Sequence, residues 1–335
     1  MKVRHPVLAV LALAIVSMAA QAQPRYRIHD LGTLGGPESD ARAISEQGTV
    51  VGISNHGRLF GEFRAFASSN GTMIDLGGLA KHGESGASAI NASGVACGHA
   101  RDDQGRRHAV VFAPEGIIDL AARRDDFIDS ECFGLNDAGH AVGIAVSTVD
   151  YTSHALVWKG GKARILATQG SSANGINNHN QFVGAVFSMG MLFDHGEQIP
   201  LGTLGGSHSE AAAINDAGEV TGWAAIPQDQ GIYAFRWREG TMTNLGTLGG
   251  SQSRGDAIGA NGDIVGWSYT HGLDGKHAML VQGDTMFDLN DLLDAGTKSD
   301  WELIEASGIT GSGAIVGTGT HHGKFHAFVM RPIVE

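Results

Sequence analysis

The stretch 201–237, LGTLGGSHSEAAAINDAGEVTGWAAIPQDQGIYAFRW, is a complete copy of a unit that recurs along the chain. It starts with a Gly-rich corner, residues 201–206, and continues into a run of small residues that ends at Asn215. A tight turn, a short strand containing Gly222, a polar loop and an apolar segment follow. The pattern predicts three strands, which we call a, b and c, and a fourth strand d that leads into the next corner.

The copies follow one another at a spacing that averages about 44 residues, which is typical of four-stranded propeller blades. We align them on the residue that ends strand a, the turn position: Ser45, Asn91, Asn136, Asn177, Asn215, Gly259 and Thr310. Three residues later stand Gly48, Gly94, Gly139, Asn180, Gly218, Gly262 and Gly313. Glycine and asparagine are the residues that accept positive φ, so a left-handed turn residue is predicted there.

A second glycine recurs inside strand b of all seven copies: Gly52, Gly98, Gly143, Gly184, Gly222, Gly266 and Gly317. A glycine in a strand normally weakens it, so its recurrence predicts a β-bulge or a close approach of backbone. The apolar segments 154–158 and 263–267 are continuous and do not alternate with polar residues, which indicates sheets that are buried on both faces.

The two ends of the repeat array decide between architectures. The array opens on a lone d strand, residues 26–32, and closes on a c strand, residues 326–330, without a d strand after it. A closed ring uses the first strand to complete the last blade, whereas a linear solenoid needs capping repeats. The sequence therefore predicts an all-β fold, a seven-bladed β-propeller of four-stranded blades, with eight blades or a β-solenoid as alternatives.

Residues 1–22 have the features of a secretory signal peptide, namely a basic start, a short apolar segment and a small-x-small cleavage site. We therefore expect one exported propeller domain, residues 23–335, that is periplasmic or secreted, monomeric and without a membrane span. The net charge of −12 argues against nucleic acid as a partner.

The pattern DLGTLGG, S-x-A-x-x-I-N-x-x-G-x-x-x-G and HAF resembles the bacterial extracellular HAF repeat family. Residues 30–36, 201–206 and 245–250 carry the corner, and His326, Ala327 and Phe328 form the tripeptide. The resemblance covers nearly all of residues 23–335. It implies an exported repeat protein and no particular activity.

Histidines open strand c in four copies, at His108, His154, His277 and His326. Because strands are spaced about 4.8 Å, the third strand of a blade would lie on the order of 15 Å from the propeller axis. Equivalent residues on adjacent blades of a sevenfold ring would then lie about 13 Å apart. Metal–ligand bonds are about 2 Å long, so these histidines cannot share one ion, and no metal site is predicted. We expect them to bond a neighbouring strand or the aspartates of strand d, Asp30, Asp75, Asp119 and Asp288.

No motif of a catalytic site or of a cofactor-binding loop is recognised in the sequence, so no catalytic residue and no cofactor is predicted. The two cysteines, Cys97 and Cys132, belong to strands of adjacent predicted blades. Two small buried thiols are the favoured interpretation, and a disulfide remains the alternative.

In a propeller the b–c loops and the d–a connections emerge on one face, which we call the loop face. The b–c loops vary between the copies, and variable loops on a fixed scaffold are where binding usually occurs. The candidate ligand-binding residues are Asp102, Tyr151, Asp229, Tyr269, His271, Asp274, Trp301, His321 and His322. A binding module for a glycan, a peptide or a protein is the leading hypothesis. The alternatives are a glycan-active hydrolase or lyase and a structural cell-surface or matrix repeat protein.

Overall fold

The computed structural model describes residues 25–57, 62–121, 126–272 and 275–333. Over these residues the chain forms seven four-stranded antiparallel sheets that are arranged as the blades of a β-propeller. The predicted fold is thereby confirmed, and the eight-bladed and solenoid alternatives are wrong. The predicted signal peptide, residues 1–22, lies outside the described residues.

The first three blades consist of β2 (Gly35–Ile44), β3 (Val50–His56), β4 (Phe63–Ser69) and β5 (Thr72–Gly77); β6 (Ser85–Ile90), β7 (Ala96–Arg101), β8 (Arg107–Ala113) and β9 (Gly116–Asp119); and β10 (Phe127–Leu135), β11 (Ala141–Ser147), β12 (Ser153–Lys159) and β13 (Lys162–Ala167). The next three consist of β14 (Ser171–Ile176), β15 (Phe182–Val186), β16 (Met189–Asp194) and β17 (Glu197–Pro200); β18 (Ser209–Ile214), β19 (Val220–Ala225), β20 (Ile232–Arg238) and β21 (Thr241–Asn244); and β22 (Gly249–Ile258), β23 (Ile264–Thr270), β24 (Lys276–Gln282) and β25 (Thr285–Asp288). Short 3₁₀ turns occupy Pro227–Asp229, Leu289–Leu292 and Lys298–Asp300.

Blade 7 is built from both ends of the described chain. It contains β26 (Trp301–Ile309), β27 (Ile315–His321), β28 (Lys324–Pro332) and, as its outermost strand, β1 (Tyr26–Asp30). Strand β1 pairs with β28 from Tyr26 opposite Pro332 to Asp30 opposite Phe328. The predicted seam is therefore present, and it closes the ring through backbone hydrogen bonds.

The hydrophobic core is divided into seven clusters, each of which lies between two adjacent blades. The cluster between blades 7 and 1, for example, packs Val316 and Val329 against Val50 and Phe66. Each sheet is thus covered on both sides, which explains the continuous apolar segments of the sequence. No helix in the described part of the chain has the length and apolar character needed to span a membrane.

The strand-b glycines allow strand a to approach closely. Strand a carries a register shift in every blade, as between Ala211 and Ala213 in blade 5. A Cβ atom on any of the seven glycines would lie 1.9–2.0 Å from a carbonyl oxygen at that bulge. The predicted bulge and close approach are both confirmed. The turn glycines and Asn180 have φ between +61° and +84°, which confirms the predicted left-handed turn residue.

A serine near the start of strand a fastens each of several blades to the one before it. Ser209 Oγ donates to the Gly202 carbonyl at 2.6 Å and accepts from the Gly190 amide at 3.0 Å. Equivalent contacts are made by Ser39, Ser85, Ser171 and Ser253. The serine of the repeat pattern therefore satisfies buried backbone groups at the blade interfaces.

Cys97 in β7 and Cys132 in β10 form a disulfide between blades 2 and 3, with Cα atoms 5.9 Å apart. The favoured interpretation of two separate thiols is therefore wrong. The two strands are brought side by side by the cluster that surrounds both sulfurs, and the sequence alone does not give their distance.

Candidate functional site

Large exposed hydrophobic side chains are concentrated on the loop face. Eight such residues occur among those that the structure describes. Five lie in or beside b–c loops: Val149, Tyr151, Phe187, Tyr269 and Phe325. The other three lie in the outer strands: Ile74 in β5 and Ile118 in β9 at equivalent positions, and Ile165 in β13 one position further on. The loop face thus presents apolar and aromatic groups around much of the ring.

In blade 3 the b–c loop is held by Asp150. Its carboxylate accepts hydrogen bonds from the Thr152 amide at 3.1 Å and the Thr152 hydroxyl at 3.0 Å, and it contacts His154 Nε2 at 3.2 Å. These bonds, led by the Thr152 amide, lower the pKa of Asp150 to about 2. Val149 and Tyr151 flank it and are 85% and 74% exposed. The loop therefore holds two apolar side chains in solvent on an ordered backbone.

Blade 4 replaces the loop with a two-residue turn, Phe187 and Ser188, which both have positive φ. The turn nevertheless carries the Phe187 ring at its tip, 71% exposed. Phe187 also lies near Gly170, in the connection between blades 3 and 4. Blade 4 therefore adds one exposed aromatic ring to the loop face.

In blade 5 the predicted residue Asp229 is engaged with the Gly-rich corner. Its carboxylate accepts from the Ser207 amide at 2.7 Å and the Ser207 hydroxyl at 2.8 Å, and these bonds lower its pKa. His208 beside it packs edge-on against Trp223, with ring centroids 5.4 Å apart. Asp229 thus joins two loops of the loop face.

In blade 6 the predicted residue Tyr269 packs edge-on against Trp267, with ring centroids 5.5 Å apart. Lys276 Nζ lies 4.8 Å from the centroid of the Trp267 ring, within the range of a cation–π contact. His271 packs over the corner at Gly249, where a Cβ atom would lie 2.4 Å from the imidazole. The predicted residue Asp274 lies outside the described residues.

Three predicted residues come together in blade 7. Trp301 and His321 stack in parallel, with centroids 4.4 Å apart and an interplanar angle of 5°. His322 covers the imidazole of His321 from a centroid distance of 4.1 Å. His321 and His326 both direct Nδ1 at the Asp30 carboxylate. The ligand atoms of Asp30, His321 and His326 lie within 4.8 Å of one another, close enough to hold one metal ion.

Asp102 in blade 2 stabilises its own loop. It accepts from the amides of Gln104 and Arg106 at 2.9 Å and pairs with the Arg106 guanidinium at 2.9 Å. The structure therefore groups Trp301, His321 and His322 in blade 7, while it distributes Asp102, Tyr151 and Asp229 over blades 2, 3 and 5 and leaves Tyr269 and His271 in blade 6.

The histidines of strand c mostly contact strand d as predicted. Nδ1 of His108 lies 2.8 Å from Asp119, and Nδ1 of His277 lies 2.6 Å from Asp288. His326 contacts Asp30 in the same way at 2.9 Å. His154 differs, because it contacts Asp150 of its own b–c loop.

The opposite mouth of the central channel was not predicted as a site. A cavity of about 440 Å³ opens there, lined by the turn positions and the residues after them. In blades 2 to 5 the turn asparagine donates from Nδ2 to the turn carbonyl of the next blade, as from Asn91 to Asn136 at 3.2 Å. Asn178 also bridges Asp137 and Asp216 at 3.0 Å each. These polar groups bond one another, which favours a role in closing the ring.

Asp256 is a buried acid between blades 6 and 7. Its Oδ1 lies 2.6 Å from Arg254 Nε, while Oδ2 is buried and makes no hydrogen bond to any residue that the structure describes. Burial raises the pKa of Asp256 to about 7; Arg254 opposes this rise and the charge of Glu305 adds to it. The equivalent residue in blade 4 is Asn174, which donates to Glu210 at 3.1 Å. An amide side chain therefore fits this position. Unlike the carboxyl group of Asp256, it is neutral without binding a proton.

We expect Asp256→Asn to stabilise the protein more at pH 8 than at pH 4.5. A carboxyl with a folded pKa near 7 and an unfolded pKa near 4 loses stability as the pH rises from about 4 to about 7. The gain in free energy of unfolding should be roughly 2–4 kcal/mol at pH 8 and below about 1 kcal/mol at pH 4.5. Urea unfolding at both pH values measures it, with Asp103→Asn on the surface as control. A gain that does not depend on pH would contradict this prediction.

No protein-family model and no curated protein matches the chain. Several solved structures match the chain at low identity and with TM-scores below 0.5. TolB from Acinetobacter baumannii is 12% identical over 72% of this chain and 64% of its own, with a TM-score of 0.43. A protein described as TolB from Agrobacterium tumefaciens is 11% identical over 93% and 99%, with a TM-score of 0.45. A gluconolactonase from Xanthomonas campestris is 15% identical over 92% and 95%, with a TM-score of 0.42.

The chain therefore spans 64% of the length of the first of these structures. At such identities and TM-scores the likeness carries no conclusion about function. The class of protein, a β-propeller, is defined by the fold of the chain itself.

Proposed function

We propose that this chain is an exported binding protein that takes a protein or peptide partner on its loop face. The observation that carries the proposal is the distribution of exposed hydrophobic groups, five of which lie on that face. Exposed apolar groups clustered on one surface typically mark an interaction site. Aromatic side chains are enriched in such sites because they bury much area with little loss of conformational entropy.

The strongest part of this surface spans blades 3 and 4, where Val149, Tyr151 and Phe187 are all more than two-thirds exposed. Their backbones are held by the bonds of Asp150 and by the two-residue turn at Phe187. An ordered backbone favours binding, because little freedom is lost when the partner arrives. Val149 is aliphatic and Phe187 has no polar group, which suits an apolar peptide side chain better than a sugar hydroxyl.

The alternative of a glycan-active enzyme finds less support. Asp256, whose raised pKa would suit proton transfer, is buried between two blades beside Arg254. A general acid must reach its substrate, and this position serves the blade interface instead. The proposal of export is supported by the Cys97–Cys132 disulfide, since disulfides persist in oxidising compartments. It also agrees with the proposed membership of the HAF repeat family.

The test is a selection of displayed peptides on the immobilised protein, with a glycan array in parallel. For a selected peptide we expect the double variant Tyr151→Ala, Phe187→Ala to raise Kd at least about tenfold, because hot-spot aromatics each contribute about 1–2 kcal/mol or more. The matched control is Ile74→Ala, Ile118→Ala, which removes two exposed apolar side chains from outer strands. It should leave Kd unchanged.

Two results would count against the proposal. Peptide binding that both double variants leave intact would place the site elsewhere on the ring. Binding of glycans without any peptide would assign the loop face to a different ligand class.

A further inference from the structure

We propose that Asp30, His321 and His326 form a binding site for a divalent transition-metal ion at the seam of the ring. The inference is independent of the partner proposed for the loop face. Asp30 ends β1, His321 ends β27 and His326 lies near the start of β28. Three strands of one blade thus bring two imidazoles and a carboxylate together.

The distances suit a shared ion. His326 Nδ1 lies 3.0 and 2.9 Å from the two oxygens of Asp30, and His321 Nδ1 lies 3.2 Å from Oδ2. Ligands bound tetrahedrally to Zn²⁺ at about 2.0–2.1 Å are separated by about 3.3 Å. Small movements of the rings would therefore admit an ion in place of the Nδ1 protons. Two histidines and one carboxylate suit Zn²⁺ and other first-row divalent ions better than Mg²⁺ or Ca²⁺.

The ligands are also held in place by their neighbours. His321 is covered by Trp301 on one face and contacted by His322, which restricts rotation of its ring. The Gly32 amide donates to Asp30 Oδ1 at 2.8 Å, which fixes the carboxylate. Bonds of this kind around metal ligands set their orientation and strengthen binding.

The second histidine distinguishes this blade from its equivalents. Blades 2 and 6 have the same pair of strand-c histidine and strand-d aspartate, in His108 with Asp119 and His277 with Asp288. In blade 2 the nearby b–c loop residue is the acid Asp102, 3.3 Å from His108 Nε2. Among the described residues, only Asp30, His321 and His326 meet the geometry of a three-residue metal group. The expectation of no metal site compared histidines of different blades and did not consider different strands of one blade.

An ion at this site would join residue 30 to residues 321 and 326, on either side of the ring closure. The unfolded chain separates these ligands by almost its whole length, so the ion binds the folded state in preference. Metal binding should therefore stabilise the seam.

The experiment is calorimetric titration of the protein with Zn²⁺ after dialysis against a chelator, together with thermal unfolding. We expect one high-affinity ion per chain and a rise in Tm of several degrees at saturating Zn²⁺, with no rise for Mg²⁺. His321→Phe keeps a flat ring against Trp301 and should weaken Zn²⁺ binding at least a hundredfold. Asp30→Asn should do the same. The control, His277→Phe, removes an equivalent histidine–aspartate contact and should bind Zn²⁺ like the wild type.

Unchanged Tm values in chelator would show that the variants are folded, and His326→Gln replaces any variant that is not. The proposal is overturned if millimolar Zn²⁺ gives neither heat nor a Tm shift. It is equally overturned if His321→Phe and Asp30→Asn bind Zn²⁺ as the wild type does, or if His277→Phe loses binding to the same extent.

Discussion

Replacing Gly222 with alanine is expected to lower the free energy of unfolding by about 4 kcal/mol or to prevent folding. The new Cβ atom would lie 2.0 Å from the Glu210 carbonyl oxygen and 3.0 Å from the Ala211 Cα atom. Both are backbone atoms at the bulge of β18, and Ala211 is fully buried in the cluster between blades 4 and 5. The strand cannot withdraw without opening that cluster. Urea unfolding monitored by tryptophan fluorescence measures the change.

The matched control is Gly275→Ala, because a Cβ atom there meets no atom of the described residues within 4 Å, its chain neighbours aside. Its effect should remain within about 0.5 kcal/mol. Equal losses of stability in both variants would contradict the prediction, because of the two glycines only Gly222 lies against a neighbouring strand.

Removing the disulfide between blades 2 and 3 should have the second largest effect. Cys97 and Cys132 are 35 residues apart, and a cross-link over a loop of that size restricts the unfolded chain by about 3–4 kcal/mol in the entropic model. We expect the double variant Cys97→Ala, Cys132→Ala to lose about this free energy of unfolding. Urea unfolding with and without a reducing agent measures it.

Reduction of the wild type separates the cross-link from the packing of the sulfur atoms. The reduced protein keeps both sulfurs in the buried cluster, whereas the alanine variant leaves a small cavity. Reduction should therefore account for most of the loss, and the reducing agent should not affect the alanine variant. Equal stability of the oxidised and reduced wild type would contradict the prediction.

The strand order and turns of each blade were predictable from the sequence, because each recurring residue type is needed for one particular backbone conformation. Glycine or asparagine after the turn supplies positive φ, and glycine in strand b leaves room for the bulge of strand a. Repetition made these requirements visible, since one copy alone would not separate them from chance. The histidine contact was predictable for His108 because Asp119 recurs in strand d. The partner of His154 was not predictable in this way, because strand d of its blade has no aspartate.

The sequence predicted which face of the propeller carries the candidate site, but it did not predict all of the residues. The variability of the b–c loops indicated the loop face, but it did not indicate Phe187, which lies in a two-residue turn. The ring of turn asparagines was also missed, although Asn91, Asn136, Asn177 and Asn215 occur in consecutive copies. Their spacing suggested turns, and contact between blades depends on how closely the ring packs around its axis.

The sequence by itself determined the seven repeats, the four strands of each blade and the use of the first strand to complete the last blade, because glycine placement and apolar runs are local properties. The tertiary structure decided which side chains of different strands meet. Closure of the ring brings Asp30 to His326 and His321 within blade 7. The packing of consecutive blades places Cys97 beside Cys132, and it buries Asp256 where the charge of Glu305 acts on it. These distances join residues of different strands at least 35 positions apart, and no local pattern encodes them.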